Sequence, residues 1–221
     1  MSKSLKLFVF VLIVAFALTA CGGKPDTDGV VGTYTLKGTN PDKSTYEGTL
    51  DVTAAGEAFN WSWNGGEYKG IGLQQGDTVS VAWGSDACYV VSYVIGNDGV
   101  LTGRWTDMAA SGIGSDIATP TDMMGEGLEG LYNAAGKNPD GSDYGCSLQV
   151  TKKAENVYEW YWFSCGEYTG VGIQNGEVVS VAYGASECSA MSYKVNANGS
   201  MNAVWTYVGQ TALGTENAKP K

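Results

Sequence analysis

The chain has 221 residues, with 13 Lys or Arg against 23 Asp or Glu, and it contains no histidine. The missing histidine excludes Ser-His-Asp and Cys-His catalysis, histidine-ligated zinc and histidine pH switching together, and the acidic excess argues against a nucleic-acid partner, whose phosphates would repel it. With 32 Gly, 13 Tyr and 7 Trp and only 16% charged residues, the composition favours strands and turns over helices.

At the N-terminus, Lys3 and Lys6 precede the apolar run LFVFVLIVAFAL. The run is too short to span a bilayer comfortably and has the length of a signal-peptide core. It ends in LTAC (Leu18 to Cys21), which resembles the bacterial lipobox. That resemblance implies cleavage before Cys21 and lipid on its sulfur and amine. Residues 1–20 then form a lipoprotein signal peptide and residues 21–29 a lipidated tether. Gly22, rather than aspartate, after the cysteine points to the outer membrane if the host is Gram-negative. Several acyl chains, each contributing about 0.8 kcal/mol per buried CH₂, make such anchoring effectively permanent. Loss of Lys3 and Lys6 leaves 11 basic residues against 23 acidic ones, a net charge of −12.

The remainder is one unit written twice. Residues 30–118 align with 128–218, about a third of the aligned positions being identical. GTYTLKGTNPDKSTYEGTLDV (Gly32 to Val52) faces GLYNAAGKNPDGSDYGCSLQV (Gly130 to Val150), and CYVVSYVIGNDGVLTGRWT (Cys88 to Thr106) faces CSAMSYKVNANGSMNAVWT (Cys188 to Thr206). Residues 119–127, TPTDMMGEG, have the composition of a linker, and residues 219–221 form a tail. Within each unit the hydrophobic period is two: Phe59, Trp61 and Trp63 share one face, and Leu101, Gly103 and Trp105 another. Turn signals recur every 8–12 residues, as at Asn40-Pro41-Asp42 and Asn97-Asp98-Gly99. The expectation is an all-β protein. It consists of two tandem antiparallel meanders, each a small barrel or sandwich of about seven or eight strands, either as separate domains or as halves of one body.

In the glycine-rich segment GVGIQNG (Gly170 to Gly176), the spacing is one residue longer than a dinucleotide fingerprint. The residues that follow, EVVSVAYG, alternate like a strand, so no helix N-terminus is available to hold a phosphate. A nucleotide is therefore excluded, and no cofactor is called for. Asn175-Gly176 instead signals a two-residue hairpin turn. Placing those two residues in the loop sets Gly172 against Val179, Gly170 against Val181 and Tyr168 against Tyr183. The first copy sets Gly72 against Val79, Gly70 against Val81 and Tyr68 against Trp83. Glycines in strands mark curvature or a bulky group lying close, here expected to be tryptophans of the chain such as Trp61 and Trp105, or a bound ligand.

After Cys21 come four cysteines in an exported chain, which makes disulfides the default. Cys146 and Cys165 occur only in the second unit and are expected to bond to each other. Cys88 and Cys188 occupy the same repeat position and either bridge the units or remain thiols. Cys165–Cys188 with Cys88–Cys146 is the rival pairing. NPDGSD (Asn138 to Asp143) superficially suggests a calcium loop, but its twelfth position is Gln149 rather than glutamate, so a turn explains it better and no metal site is expected. The ligand-binding candidates are the residues around the hairpin bases: Glu67, Tyr68 and Trp83 in the first unit, Glu167, Tyr168 and Tyr183 in the second. No catalytic residue is assigned; a carboxylate-based hydrolase would draw on the hairpin carboxylates, Glu67 and Glu167 before the tyrosines and Asp77 and Glu177 after the turns.

Three motifs occur in both units: Y-x-x-x-G-x-N-P-D, Y-x-G-x-G-x-x-x-G and V-S-V-A-[WY]-G. With them the repeat resembles that of a group of small bacterial exported proteins and lipoproteins, some carrying a fibronectin-binding label. The functional expectation is an envelope lipoprotein, held to the membrane through lipid on Cys21, that binds an extracellular or periplasmic macromolecule or glycan without catalysis. The alternative is a periplasmic inhibitor of a basic enzyme such as lysozyme.

Overall fold

The computed structural model describes residues 29–125 and 127–221; Cys21 and the expected signal peptide lie outside them. The first repeat forms β1 (Gly32–Thr39), β2 (Thr45–Ala55), β3 (Ala58–Trp63), β4 (Tyr68–Gln75), β5 (Thr78–Trp83), β6 (Tyr89–Ile95), β7 (Leu101–Asp107) and β8 (Gly114–Met123). The second repeats the pattern as β9 (Gly130–Lys137), β10 (Asp143–Ala154), β11 (Val157–Phe163), β12 (Tyr168–Asn175), β13 (Val178–Gly184), β14 (Ser189–Val195), β15 (Met201–Tyr207) and β16 (Gly214–Pro220). No α-helix occurs among the described residues. The all-β class and the eight strands per unit agree with the period-two pattern and the turn spacing. Thr119–Met123, read as linker from the sequence, continue β8 and pair with β9 across a one-residue register shift between Pro120 and Asp122.

Hydrogen bonding divides the chain differently from the repeats. One closed antiparallel barrel contains β1–β5 with β14–β16, and the other contains β6–β8 with β9–β13. Each repeat thus lends its last three strands to the other repeat's barrel. The second barrel is a continuous stretch from β6 to β13. The first is assembled from the two ends of the chain and closes where β1 meets β16, Leu36 facing Ala218. Closure removes every sheet edge.

The chain crosses between barrels twice, at Gly84–Cys88 and Ala185–Cys188. Gly84 (φ 125°) packs against the Glu187 carbonyl, and Gly184 (φ 123°) against the Ala87 carbonyl. A Cβ at either position would strike backbone, and the positive φ itself favours glycine. Cys88 is disulfide-bonded to Cys188, which ties the two crossings together, and Cys146 is bonded to Cys165. The rival connectivity is therefore absent.

Strands β4, β5, β12 and β13 are buried on both faces. Inward, Val79 and Val81 of β5 join Phe59 and Trp61 of the neighbouring β3 in the first barrel's core, and Val179 and Val181 of β13 join Trp160 of β11 in the second's. Outward, Ile71, Leu73 and Ala82 meet Val171, Ile173 and Ala182 in a third apolar cluster between the barrels. At its middle Ser80 bonds Ser180 (2.8 Å) and Ser92 (2.9 Å), so that these buried hydroxyls satisfy one another.

The hairpin register differs from the sequence reading by one loop residue. Gly76-Asp77 and Gly176-Glu177 form the turns, and the flanking pairs are Gln75↔Thr78 and Asn175↔Val178. Gly72 therefore faces Val81 and Gly70 faces Trp83, with Gly172 facing Val181 and Gly170 facing Tyr183. Gly76 and Gly176 (φ 61° and 63°) carry the positive φ that a II′ turn needs at its first loop position, whereas the Asn-Gly reading assumed I′. The partners shift by two residues, which leaves every side chain on its expected face. The glycine notches hold the protein's own rings. An added Cβ at Gly72 would meet the Trp61 indole, one at Gly172 the Trp160 indole, and Trp105 lies over Gly114 on β8 rather than over the hairpin. The NPDGSD segment is a turn, with Ser142 N donating to Asp140 Oδ1 (2.9 Å) and Gly141 at φ 87°.

Candidate functional site

Each barrel has a cavity of about 350 Å³ (first) or 340 Å³ (second) at the same end. The inward positions that form its walls are aromatic. In the first barrel these are Trp63 (β3), Tyr68 (β4), Trp83 (β5) and Trp205 (β15), with Tyr46 (β2) beside them. In the second, Trp162, Tyr168, Tyr183, Trp105 and Tyr144 stand at the equivalent places, and Tyr89 joins them. The rings support one another edge-on or stacked: Tyr68–Trp83 at 5.9 Å, Trp83–Trp205 at 5.6 Å, Tyr168–Tyr183 at 6.1 Å and Tyr89–Tyr183 at 4.9 Å. Beneath them the Trp61–Tyr193 and Tyr93–Trp160 stacks close the floors. Because of the strand exchange, each cavity is built from both repeats.

A buried carboxyl lies in each cavity, Glu216 on β16 and Asp116 on β8, exposed by only 2% and 3%. Glu216 is fully engaged: Tyr193 and Trp63 Nε1 (3.4 Å) donate to Oε1, and Tyr46 donates to Oε2 (2.9 Å). Asp116 receives Tyr93 on Oδ2, while Oδ1 has no partner. Tyr144, the counterpart of Tyr46, donates to the Ser115 carbonyl (3.0 Å) and lies close enough to the Asp116 carboxyl to help hold its pKa down, without reaching Oδ1 in hydrogen-bond geometry. Burial pushes both carboxyls above their ordinary range, against hydrogen bonds that pull them down. Burial and then the adjacent carboxyl push the Tyr46, Tyr93, Tyr144 and Tyr193 hydroxyls up, so they remain protonated donors. The Trp83 and Trp205 N–H groups of the first cavity and Trp105 N–H of the second meet no acceptor in hydrogen-bond geometry.

Of the residues singled out from the sequence, Tyr68, Trp83, Tyr168 and Tyr183 line the cavities. Tyr68 and Tyr168 are exposed at the mouths, by 48% and 40%. Glu67 lines the first cavity, whereas Glu167 does not line the second, so the two are not an equivalent pair. The Cys146–Cys165 disulfide borders the second mouth. The first barrel has Gly48 at the position of Cys146, and the Asn64 side chain packs over it and accepts from Thr49 N (3.1 Å). Sequence reading missed Glu216, Asp116 and the tryptophans Trp63, Trp162, Trp105 and Trp205 as cavity residues. One signal was present: in GSDIA and GTENA the acid falls in phase with the inward Gly and Ala, a polar residue on an apolar stripe. No protein-family model, curated protein or solved structure matches this chain.

Proposed function

We propose that the chain is a lipid-anchored envelope protein that binds, without transforming it, a glycan or a projecting group of a macromolecule in the mouths of its two barrels. The observation that carries this reading is the pair of open, aromatic-walled cavities at equivalent positions, each ending on a buried carboxyl. Aromatic faces accept the apolar face of a sugar or side chain, and a few placed polar groups fix its orientation. The volumes lie at the low end of the range of small-ligand sites, about 300–1,000 Å³. Two such sites on one tethered body raise avidity for a repeating ligand. Lipid on Cys21 and the polar tether after it would hold the cavities outside the membrane. The resemblance to exported proteins labelled fibronectin-binding places host-matrix glycoproteins among the ligands to try.

The test is tryptophan fluorescence titration of the chain against envelope and matrix glycans and glycoproteins. Saturable quenching is expected, with Trp83→Ala and Tyr183→Ala each weakening it about tenfold or more. Saturable binding to none of them would sink the reading.

A further inference from the structure

We infer that the second cavity is a site for an alkylammonium group, held through a vacancy that the first cavity lacks. The inference rests on reading the cavities as ligand sites and adds the chemistry of the ligand. Six rings (Tyr89, Trp105, Tyr144, Trp162, Tyr168 and Tyr183) surround the second cavity, and aromatic faces carry partial negative charge that attracts a cation within about 6 Å. None of the described lining residues is basic, so no cation of the protein occupies that field. Arg104 and Lys137, whose strand positions pair with Ser115, are engaged elsewhere, with Glu57 and Asp143. Asp116 Oδ1 is buried and unpartnered. An ammonium N–H donated to that oxygen would satisfy it, and the rings would cover the adjoining carbons.

The first cavity lacks this vacancy. Tyr193, Trp63 and Tyr46 already occupy both oxygens of Glu216. Its unpartnered groups are the Trp83 and Trp205 N–H donors, which call for acceptors such as sugar hydroxyl or carbonyl oxygens. The second cavity shares an unpartnered indole N–H through Trp105, and one methylene, the difference between Glu216 and Asp116, adds to it a carboxylate oxygen that lacks a donor.

An alkylammonium can come from a lysine side chain or from an amino sugar, and paired probes separate the sources. The full-length chain in detergent is titrated at neutral pH with Nα-acetyl-lysine amide and with its Nε-acetylated form. It is then titrated with a β-glycoside of glucosamine and that of N-acetylglucosamine. At least one charged probe is expected to bind about tenfold or more tighter than its acetylated twin. Asp116→Asn should erase that preference and Glu216→Gln should leave it in place; the probe pair that shows the preference names the source. Equal binding of charged and acetylated forms overturns the inference without any variant, as does a preference that survives Asp116→Asn. If neutral glycans bind and neither charged probe is preferred, only this inference falls. If nothing binds, the reading of the cavities falls with it.

Discussion

Asp116 and Glu216 occupy positions where a barrel interior ordinarily carries apolar side chains, and their ionisation opposes folding. Both carboxyls are raised above their ordinary values by burial. The folded chain therefore holds protons that the unfolded chain has already released, and stability falls as pH rises through the window between the unfolded and folded values. The window opens near the ordinary values, 3.8 for Asp116 and 4.5 for Glu216, and extends upward from there. Within it each group removes up to about 1.4 kcal/mol per pH unit. Exposed carboxylates such as Asp42 and Asp140, lowered by their Ser44 and Ser142 hydrogen bonds, act with the opposite sign at lower pH. Thermal unfolding midpoints should thus decline as the pH rises above the ordinary carboxyl values, and the Asp116→Asn, Glu216→Gln double variant should flatten that decline. An unchanged slope in the double variant would show that the two carboxyls do not titrate across it. The same residue-scale logic applies to Gly172, whose missing Cβ leaves room for the Trp160 indole. Gly172→Ala should force the ring aside at about 1–3 kcal/mol, as overpacking does. A fall in the urea midpoint with a shifted tryptophan emission spectrum is the expected outcome.

At the scale of elements, the two disulfides constrain different things. Cys146–Cys165 closes a separation of 19 residues across β10 and β11, and Cys88–Cys188 closes one of 100. Chain entropy assigns about 3 kcal/mol to a loop near the shorter length and close to 5 to the longer. Cys88 and Cys188 are also fully buried within the cluster between the barrels. Replacing both with alanine should therefore lower the denaturant midpoint more than the same change at Cys146 and Cys165. Equal losses in chemical denaturation would count against the crossing as the stiffer constraint. Much at this scale was legible in the sequence. The alternation in AFNWSW placed Phe59, Trp61 and Trp63 on one face, and the unmatched pair Cys146 and Cys165 indicated its own bond. The hairpin register was not, because Asn175 as the residue before the loop and Asn175 within it have the same local composition. Cavity residues were read where they flank a turn, as Tyr68 and Trp83 do. Asp116 and Glu216 were passed over because an acid in an exposed-looking strand reads as solvated until the barrel closes around it.

At the scale of the molecule, the exchange of strands could not be read from the repeats at all. Two similar units can each close on themselves or trade their last three strands, with the same pairing chemistry in either case. The exchanged arrangement is held at the crossings, by the close packing of Gly84 on the Glu187 carbonyl and of Gly184 on the Ala87 carbonyl, and by the bond between Cys88 and Cys188. The folding unit is therefore the continuous stretch 89–184, carrying all eight strands of the second barrel, rather than either repeat. Excised, this stretch should fold by itself, with dispersed amide resonances and an intact Cys146–Cys165 bond. It should be less stable than in the whole chain, because Val90, Val171, Ile173 and Ala182 lose their cover from the other barrel. The stretch 128–218 contains a complete repeat but only five strands of one barrel and three of the other. As a monomer in the exchanged arrangement it leaves β13 without β6, β9 without β8, β14 without β5 and β16 without β1, exposing four open edges that favour association. It should stay unfolded or recover its pairing only as a dimer of two copies. A well-folded monomer from 128–218, beside an unfolded 89–184, would mean that each repeat closes on itself and that the exchange is not the folding topology.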